Sequence, residues 1–356
     1  MEILNDREHM SRIDKDHMLA RAVELPQACA AAWNLIQSVD LPALESIEQV
    51  VVAGMGGSAI GGDLVAALVS DQCPAPITVA RGYDLPAFVA GPGCLVVGSS
   101  YSGNTEETLN VFRTALQRGA SLVALTTGGE MARLAQAWGI PLVTFDYRSQ
   151  PRAALGYSFT LLLGLLSRLG LVDDQSQAVD EAVQVMTRWD EEIGVDVPAA
   201  DNPAKKLALD LVGRLPVVYG AGLLEPVARR WKTQFNENSK SWAFYEPMPE
   251  LNHNAVVAYE RSEAWRERAW VLCLRSIYDH PRVTARWEIT SGLLAREGVP
   301  CVQLEARGQG RLAQMLSLIH LGDLVSVYLA LAQGIDPTPV GPIADLKDRL
   351  AQEPMD

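Results

Sequence analysis

Residues 49–58 read QVVVAGMGGS, an apolar run that leads directly into a turn of small residues. Residues 99–105, SSYSGNT, form a second turn of this kind after the apolar run 94–98. Glycines permit a tight strand-to-helix turn that larger side chains would obstruct. Two such turns at one edge of a sheet would direct backbone N–H groups and hydroxyls at a shared point, as a bound phosphate requires. The pattern predicts a phosphate-binding α/β protein.

Apolar strand patterns and amphipathic helix patterns alternate on both sides of these turns. The first round predicts strands at 49–53, 77–80, 94–98, 122–125 and 142–145, with helices at 18–39, 58–69, 104–118 and 131–138. Two helical segments follow, at 155–169 and 177–192. A second round predicts strands at 216–219, 270–274 and 301–304, with helices at 224–236, 281–296 and 312–333. Such alternation is typical of parallel sheets covered by helices on both faces.

The two rounds follow one plan. Residues 51–56, VVAGMG, and 217–222, VVYGAG, both place G-x-G after an apolar run and before a helix. We therefore predict an α/β fold of two doubly wound, mostly parallel subdomains, flavodoxin-like or Rossmann-like in three αβα layers and related by internal duplication. The predicted division is an N-terminal helical segment (1–40), a first subdomain (41–195) and a second subdomain with a C-terminal helix (196–356).

Composition narrows the class of function. A chain of 356 residues is long enough for two domains. Its formal net charge of −13 argues against duplex nucleic acid as a partner, because binding to phosphates requires a basic surface. Residues 1–18 lack the apolar core of a signal peptide, and the apolar segment 154–172 is interrupted by polar residues, as in a buried helix rather than a membrane span. We expect a cytoplasmic protein. No histidine or cysteine spacing suggests a metal site.

Residues 54–59 also match G-x-G-x-x-A, the dinucleotide fingerprint. A dinucleotide site needs an acidic residue at the end of the second strand, where this chain has Arg81, with Asp84 several positions later. An NADP site could use Arg81. The second turn argues against a dinucleotide, because a capping box of Asn104 and Glu107 explains those two residues but not three serines around Gly103.

Four segments resemble a known family. Residues 100–108, SYSGNTEET, resemble the phosphate loop of sugar isomerase (SIS) domains, and 56–58, GGS, resemble their first glycine turn. Residues 231–240, WKTQFNENSK, and 250–254, ELNHN, are similar to bifunctional phosphoglucose/phosphomannose isomerases. The resemblance covers nearly the whole chain. It implies two SIS-type subdomains and an enediolate isomerisation of glucose 6-phosphate and mannose 6-phosphate with fructose 6-phosphate, without a metal or nucleotide cofactor.

Four residues are candidates for the chemistry. Glu237 follows a basic helical stretch and lies between two asparagines. From the residues alone, a solvated glutamate at a helix end is the ordinary alternative to a catalytic role. The resemblance implies that Glu237 moves a proton between C1 and C2. His253 by itself is typical of a structural histidine. The resemblance implies that it assists ring opening from the other subunit of a homodimer. By itself, Arg152 could form a salt bridge to one of the many acidic residues, and Lys347 could be a solvated surface lysine. The resemblance implies instead that Arg152 stabilises the charge of the enediolate and that Lys347 lies at the site.

The remaining candidates are expected to hold the sugar phosphate: Gly56, Gly57, Ser58, Ser100, Ser102 and Thr105. Two other classes of function stay open. A non-catalytic sugar-phosphate sensor could use the same fold, although the acidic first 40 residues show no basic recognition helix. A synthase domain of the amidotransferase kind would need a glutaminase partner with an N-terminal cysteine, and no cysteine precedes Cys29.

Overall fold

The computed structural model describes residues 2–41, 44 and 46–353. Nine strands lie in these ranges: β1 Gln49–Ala53, β2 Ile77–Ala80, β3 Cys94–Ser100, β4 Ser121–Thr126, β5 Leu142–Thr144, β6 Leu215–Ala221, β7 Phe244–Met248, β8 Ala269–Arg275 and β9 Cys301–Glu305. They form two sheets, ordered β2-β1-β3-β4-β5 and β7-β6-β8-β9. Every neighbouring pair is parallel.

The second sheet repeats the first four positions of the first sheet, in which the second strand lies outside the first and the third and fourth follow on the other side. This is the flavodoxin-like order, in which the chain leaves two central strands in opposite directions. The predicted fold class is therefore confirmed, and the repeated order is consistent with the predicted duplication.

Helices connect and cover the strands. The α-helices are α1 Arg7–Ile13, α2 Met18–Val23, α3 Leu25–Ser38, α4 Gly56–Leu68, α5 Glu106–Gln117, α6 Gly129–Trp138, α7 Leu155–Arg168, α8 Ser176–Ile193, α9 Pro203–Asp210, α10 Glu225–Glu237, α11 Pro281–Arg296, α12 Arg311–Ala332 and α13 Gly341–Leu350. Short 3₁₀ segments cover Glu2–Leu4, Pro151–Ala154, Gly222–Leu224, Glu250–His253 and Ala255–Ala264.

Three elements differ from the prediction. The helix predicted at 18–39 is two helices, and α3 begins with Pro26 in its first turn, where proline cannot continue the hydrogen bonding of α2. Strand β7 is absent from the prediction because it contains Pro247, which argues against a strand. It forms because β7 lies at the edge of its sheet, where proline is tolerated. Helix α9 is absent from the prediction, although Asn202 caps it and Pro203 begins it.

Long apolar helices form the centre of the molecule. The predicted buried helix corresponds to α7, eleven of whose residues are buried. Within the described chain, α12 alone is long and apolar enough to cross a membrane, and 94% of its most apolar window is buried inside the protein. It packs against α8, α9 and α10, so its apolar surface is used by the core of the fold.

Gly103 in the second turn offers a stability test. Its φ is +69°, and a Cβ there would lie 1.8 Å from the backbone oxygen of Gly128. Gly139 has a similar φ of +65° with nothing within 4 Å of such a Cβ. We expect Gly139→Ala to lower the free energy of unfolding by about 1 kcal/mol, from backbone strain alone. Gly103→Ala should lower it by about 3 kcal/mol or more, since overpacking is added. Equal losses in urea unfolding would contradict this packing.

Candidate active site

The two small-residue turns meet at the carboxyl ends of β1 and β3. A Cβ on Gly54 would lie 3.0 Å from the backbone oxygen of Ser99, so the turns are in direct contact. A Cβ on Gly57 would lie 3.0 Å from the backbone oxygen of Pro151, which places the first turn against the segment carrying Arg152. This is the switch point of the first sheet, where ligands bind in doubly wound folds.

The first turn is also the N-terminal turn of α4. Gly56 begins the helix with a φ of +52°, which a residue without Cβ adopts freely. Gly57 and Ser58 follow it, and the Ser58 side chain is buried. The N-terminal end of a helix carries a partial positive charge and backbone N–H groups without helical acceptors. The first turn therefore provides the electrostatics of an anion site.

Hydroxyl groups gather in the second turn. Ser100 Oγ lies 3.0 Å from Thr105 Oγ1 and accepts a hydrogen bond from the Gly103 N–H at 3.1 Å. Ser102 Oγ accepts from the Asn104 N–H at 3.2 Å. The turn thus has one buried hydroxyl, at Ser100, and one exposed hydroxyl, at Ser102.

The predicted capping box of α5 is wrong. The N-cap is Thr105, whose side chain makes no capping hydrogen bond. Asn104 Oδ1 instead accepts from the backbone N–H of Glu130, in the first turn of α6, at 2.9 Å. A contact to a helix 26 residues away cannot be read from local spacing. Asn104 therefore joins the second turn to α6 instead of starting α5.

Arg152 is 3% exposed and is bound on several sides. Its Nε donates to Asn238 Oδ1 at 2.6 Å, and its Nη2 donates to the backbone oxygens of Pro337 and Thr338 at 2.8 and 3.0 Å. Its Nη1 lies 3.5 Å from Glu237 Oε2. Burial lowers the pKa of Arg152, and the Glu237 carboxylate opposes that shift. The guanidinium is held firmly while its Nη1 makes only a long contact with Glu237.

Glu237 is the last residue of α10, and its side chain is 28% exposed. Lys240 covers this helix end, with Nζ donating to the backbone oxygens of Glu237 at 2.7 Å and Pro337 at 2.8 Å. Burial, followed by the charge of Arg152, lowers the pKa of Lys240 to about 8. Arg152 therefore lies beside the Glu237 carboxylate, and Lys240 binds the backbone oxygen of the same residue.

A cavity of about 550 Å³ opens beside Glu237. Its polar wall includes Lys232 and Lys240, and its apolar wall includes Trp242 and Phe244. The Trp242 and Phe244 rings meet edge to face with centroids 6.3 Å apart. Glu237 is thus accessible to a ligand from this side.

The structure does not bring His253 to Glu237 within one chain. Helix α10 returns between the parallel strands β6 and β7, so Glu237 lies at the edge where these strands begin. His253 follows the end of β7 and is exposed at the opposite edge. The five residues of β7 separate the two edges, which corresponds to about 16 Å at 3.3 Å per residue.

Lys347 lies on α13, a helix with no buried residue. Ile343, one turn earlier on the same helix face, lines the cavity beside Glu237. Lys347 is therefore exposed on the side of α13 that faces this cavity. Among the described residues, no side-chain hydrogen bond or ion pair joins Lys347 to the other candidates.

Comparison with known proteins identifies the family of the chain. Residues 200–350 match the family model described as the bacterial phospho-glucose isomerase C-terminal SIS domain. A bifunctional phosphoglucose/phosphomannose isomerase from Caldicellulosiruptor bescii is 41% identical over 94% of this chain and 99% of its own length. The chain belongs to this family of isomerases. Another bifunctional phosphoglucose/phosphomannose isomerase, from Aquifex aeolicus, is 35% identical over 85% of the chain and 90% of its own length.

Solved structures share the fold of this isomerase family member at low identity. The C-terminal domain of glucosamine-fructose-6-phosphate aminotransferase from Francisella tularensis is similar with a TM-score of 0.67 at 16% identity, over 90% of this chain and 97% of that one. A glucose-6-phosphate isomerase like protein from Thermus thermophilus gives 0.61 at 19% identity, over 97% and 98%. At these identities the likeness concerns the fold alone.

Sequence reasoning missed a group of buried polar residues in this isomerase. Asp323 and Ser326 lie on α12; Asp323 bonds to side chains of α10, and Ser326 bonds to Asn238 at the end of that helix. One signal was present, because Asp323 is the single acidic residue in the apolar run 312–332. Buried acids are rare unless they are paired, so an isolated Asp in such a helix indicates a partner elsewhere in the fold.

Proposed function

We propose that the protein interconverts fructose 6-phosphate with glucose 6-phosphate and mannose 6-phosphate in the cytoplasm. The observation that carries this proposal is the Arg152–Glu237 pair, 3.5 Å apart, whose arginine follows Pro151, a residue packed against Gly57 in the first turn of α4. Isomerisation of an aldose and a ketose requires a base, charge stabilisation for an enediolate and an anchor for the phosphate. Family membership supports the same assignment.

In this proposal the phosphate group binds at the junction of the two turns. The residues assigned to it are Gly56, Gly57, Ser58, Ser100, Ser102 and Thr105. Backbone N–H groups at the start of α4 and the hydroxyls of the second turn would share its charge. The C1 and C2 carbons of the open-chain sugar would then extend toward Arg152 and Glu237.

Glu237 is assigned as the base that moves a proton between C1 and C2. Removing a proton beside the carbonyl places negative charge on oxygen, and the Arg152 guanidinium is positioned to stabilise it. Arg152 keeps Nη1 directed toward Glu237 while its other nitrogens are bound elsewhere. The reaction needs no net oxidant, and we assign it no metal or nucleotide cofactor.

We further propose a homodimer in which His253 of one subunit serves ring opening at the site of the other. The support is topological, since β7 separates Glu237 and His253 within a chain. In an isologous dimer, the sheet edge that carries His253 in one subunit could face the edge that carries Glu237 in the other. Lys347 is assigned to the sugar side of the same site, because α13 lies beside the cavity.

Subunit complementation tests the sharing of sites. Glu237→Gln and His253→Ala are each expected to have little activity alone. After unfolding and refolding together in equal amounts, random dimers should regain about a quarter of wild-type activity, because half of the dimers then contain one intact site. Refolding each variant alone is the control. No recovery in a mixture shown to contain mixed dimers would contradict action across the interface.

Loss of one phosphate ligand should act mainly on binding. For Ser102→Ala we expect KM for fructose 6-phosphate to rise about tenfold with little change in kcat, since a hydrogen bond to a charged group is removed. Ser70→Ala, just beyond the other end of α4, is a matched control and should leave KM unchanged. Steady-state kinetics on both variants would contradict the phosphate assignment if their KM values were equal.

The decisive experiment for the function is incubation with fructose 6-phosphate in the presence of a chelator, followed by separation of the aldose phosphates. Glucose 6-phosphate and mannose 6-phosphate together are the expected products. Glucose 6-phosphate alone would restrict the proposal to one epimer. Binding of fructose 6-phosphate without any product would support the sensor alternative instead.

A further inference from the structure

A buried polar network lies beneath Arg152 and Glu237, where α10 packs against α12. Arg230 and Asp323 form a bidentate ion pair, with Nε 3.1 Å from Oδ1 and Nη2 2.5 Å from Oδ2. Their side chains are 2% and 8% exposed. Asp323 Oδ1 also accepts from Gln234 Nε2 at 2.9 Å. The carboxylate of Asp323 therefore holds two side chains of the helix that ends at Glu237.

The same network reaches Arg152 by two routes. Arg230 Nη2 donates to the backbone oxygen of Arg152 at 3.2 Å. Asn238, which accepts from Arg152 Nε, donates through Nδ2 to Ser326 Oγ at 2.9 Å. Ser326 lies one turn after Asp323 on α12 and bonds to the Asp323 backbone oxygen. Helix α12 thus holds both the backbone and the guanidinium of Arg152.

The charge of Arg230 links this network to Glu237. Arg230 and Glu237 are seven residues apart on α10, which places them on the same helix face. A buried charge without a counter-ion is costly, so an unpaired guanidinium turns toward an available carboxylate. With Asp323 present, the charge of Arg230 is already balanced. The other charged groups near Glu237 are Arg152, Lys232, Lys240 and, facing Lys240, Asp336.

We propose that Asp323 is a positioning residue that keeps Glu237 available as the base by balancing Arg230, while Ser326 and Asn238 keep Arg152 in place. The inference rests on the isomerase function proposed above and adds residues on α12 that do not touch the substrate. Asp323→Asn tests the role of the charge, because the asparagine side chain has nearly the same size, keeps one acceptor oxygen and has no negative charge.

Asp323→Asn is expected to lower kcat on the order of tenfold or more, because Glu237 must then balance two guanidinium groups. KM should change little. The acidic limb of the pH profile of kcat should move to lower pH by about one unit, since the added positive field favours the ionised carboxylate. The double variant Arg230→Gln with Asp323→Asn removes both charges and should recover much of the lost kcat. A merely structural role for Asp323 predicts a loss of stability, which the double variant would also restore, but no shift of the pH profile.

Asp190→Asn is the matched control, since Asp190 bonds to His320 on another side of α12 and should leave the pH profile unchanged. Thermal unfolding of each variant accompanies the kinetics. The inference is overturned by an Asp323→Asn enzyme with the wild-type pH profile, or by a folded double variant no more active than the single one. If Asp323→Asn does not fold, the double variant carries the test and must turn over substrate. A wild-type protein without isomerase activity would instead contradict the proposed function.

Discussion

Glu237→Gln is expected to lower kcat for fructose 6-phosphate isomerisation by about a hundredfold or more, because a positioned general base contributes on that order and an amide cannot accept the proton. KM should stay close to the wild-type value, since the phosphate is bound by other residues. The substitution keeps the size of the side chain and removes its carboxylate charge. The measurement is a coupled assay of aldose formation over a range of substrate concentrations.

The matched control is Glu191→Gln, an exposed glutamate on α8 that lies outside the site. It should leave both kinetic constants unchanged. Hydrogen exchange at C2 of the sugar gives a second readout, because loss of the base should abolish exchange together with isomerisation. A folded Glu237→Gln protein that still exchanges this hydrogen at the wild-type rate would remove Glu237 from the mechanism.

Arg152→Lys should also lower kcat by about a hundredfold, the usual consequence of removing one donor to a developing oxyanion. Lysine keeps the positive charge, but it lacks the planar fork that serves Asn238 and the Pro337 carbonyl while leaving Nη1 toward Glu237. The loss should appear mainly in kcat, because the charge develops in the transition state. Steady-state kinetics and thermal unfolding measure the two contributions separately.

Arg148→Lys provides the control for this substitution. Arg148 lies four residues before Arg152, is 94% exposed and pairs with Asp146 at the surface. Exposed pairs of this kind contribute little, so activity and stability should be unchanged. If Arg152→Lys retained wild-type kcat, the oxyanion role would be wrong even though the arginine is buried.

Local patterns were sufficient where local chemistry decides the structure. The strands at 49–53 and 77–80 and the helix at 281–296 have the predicted bounds, since their apolar runs and glycine or proline boundaries act within a few residues. Patterns failed where a distant contact decides, as at Asn104, which bonds to the first turn of α6, and at β7, which forms a strand with Pro247 because it lies at a sheet edge.

For the candidate site, the sequence alone determined the family resemblance, the two turns and the types of residue that the chemistry needs. Only the tertiary structure decided which of them meet. It joined Arg152 to Glu237 across 85 residues, separated His253 from Glu237 by the length of β7, and placed Asp323 beneath the pair. The physical reason is that turns and helices follow from local sterics and hydrogen bonding, whereas a buried charge is balanced by whichever group the packing of distant helices brings to it.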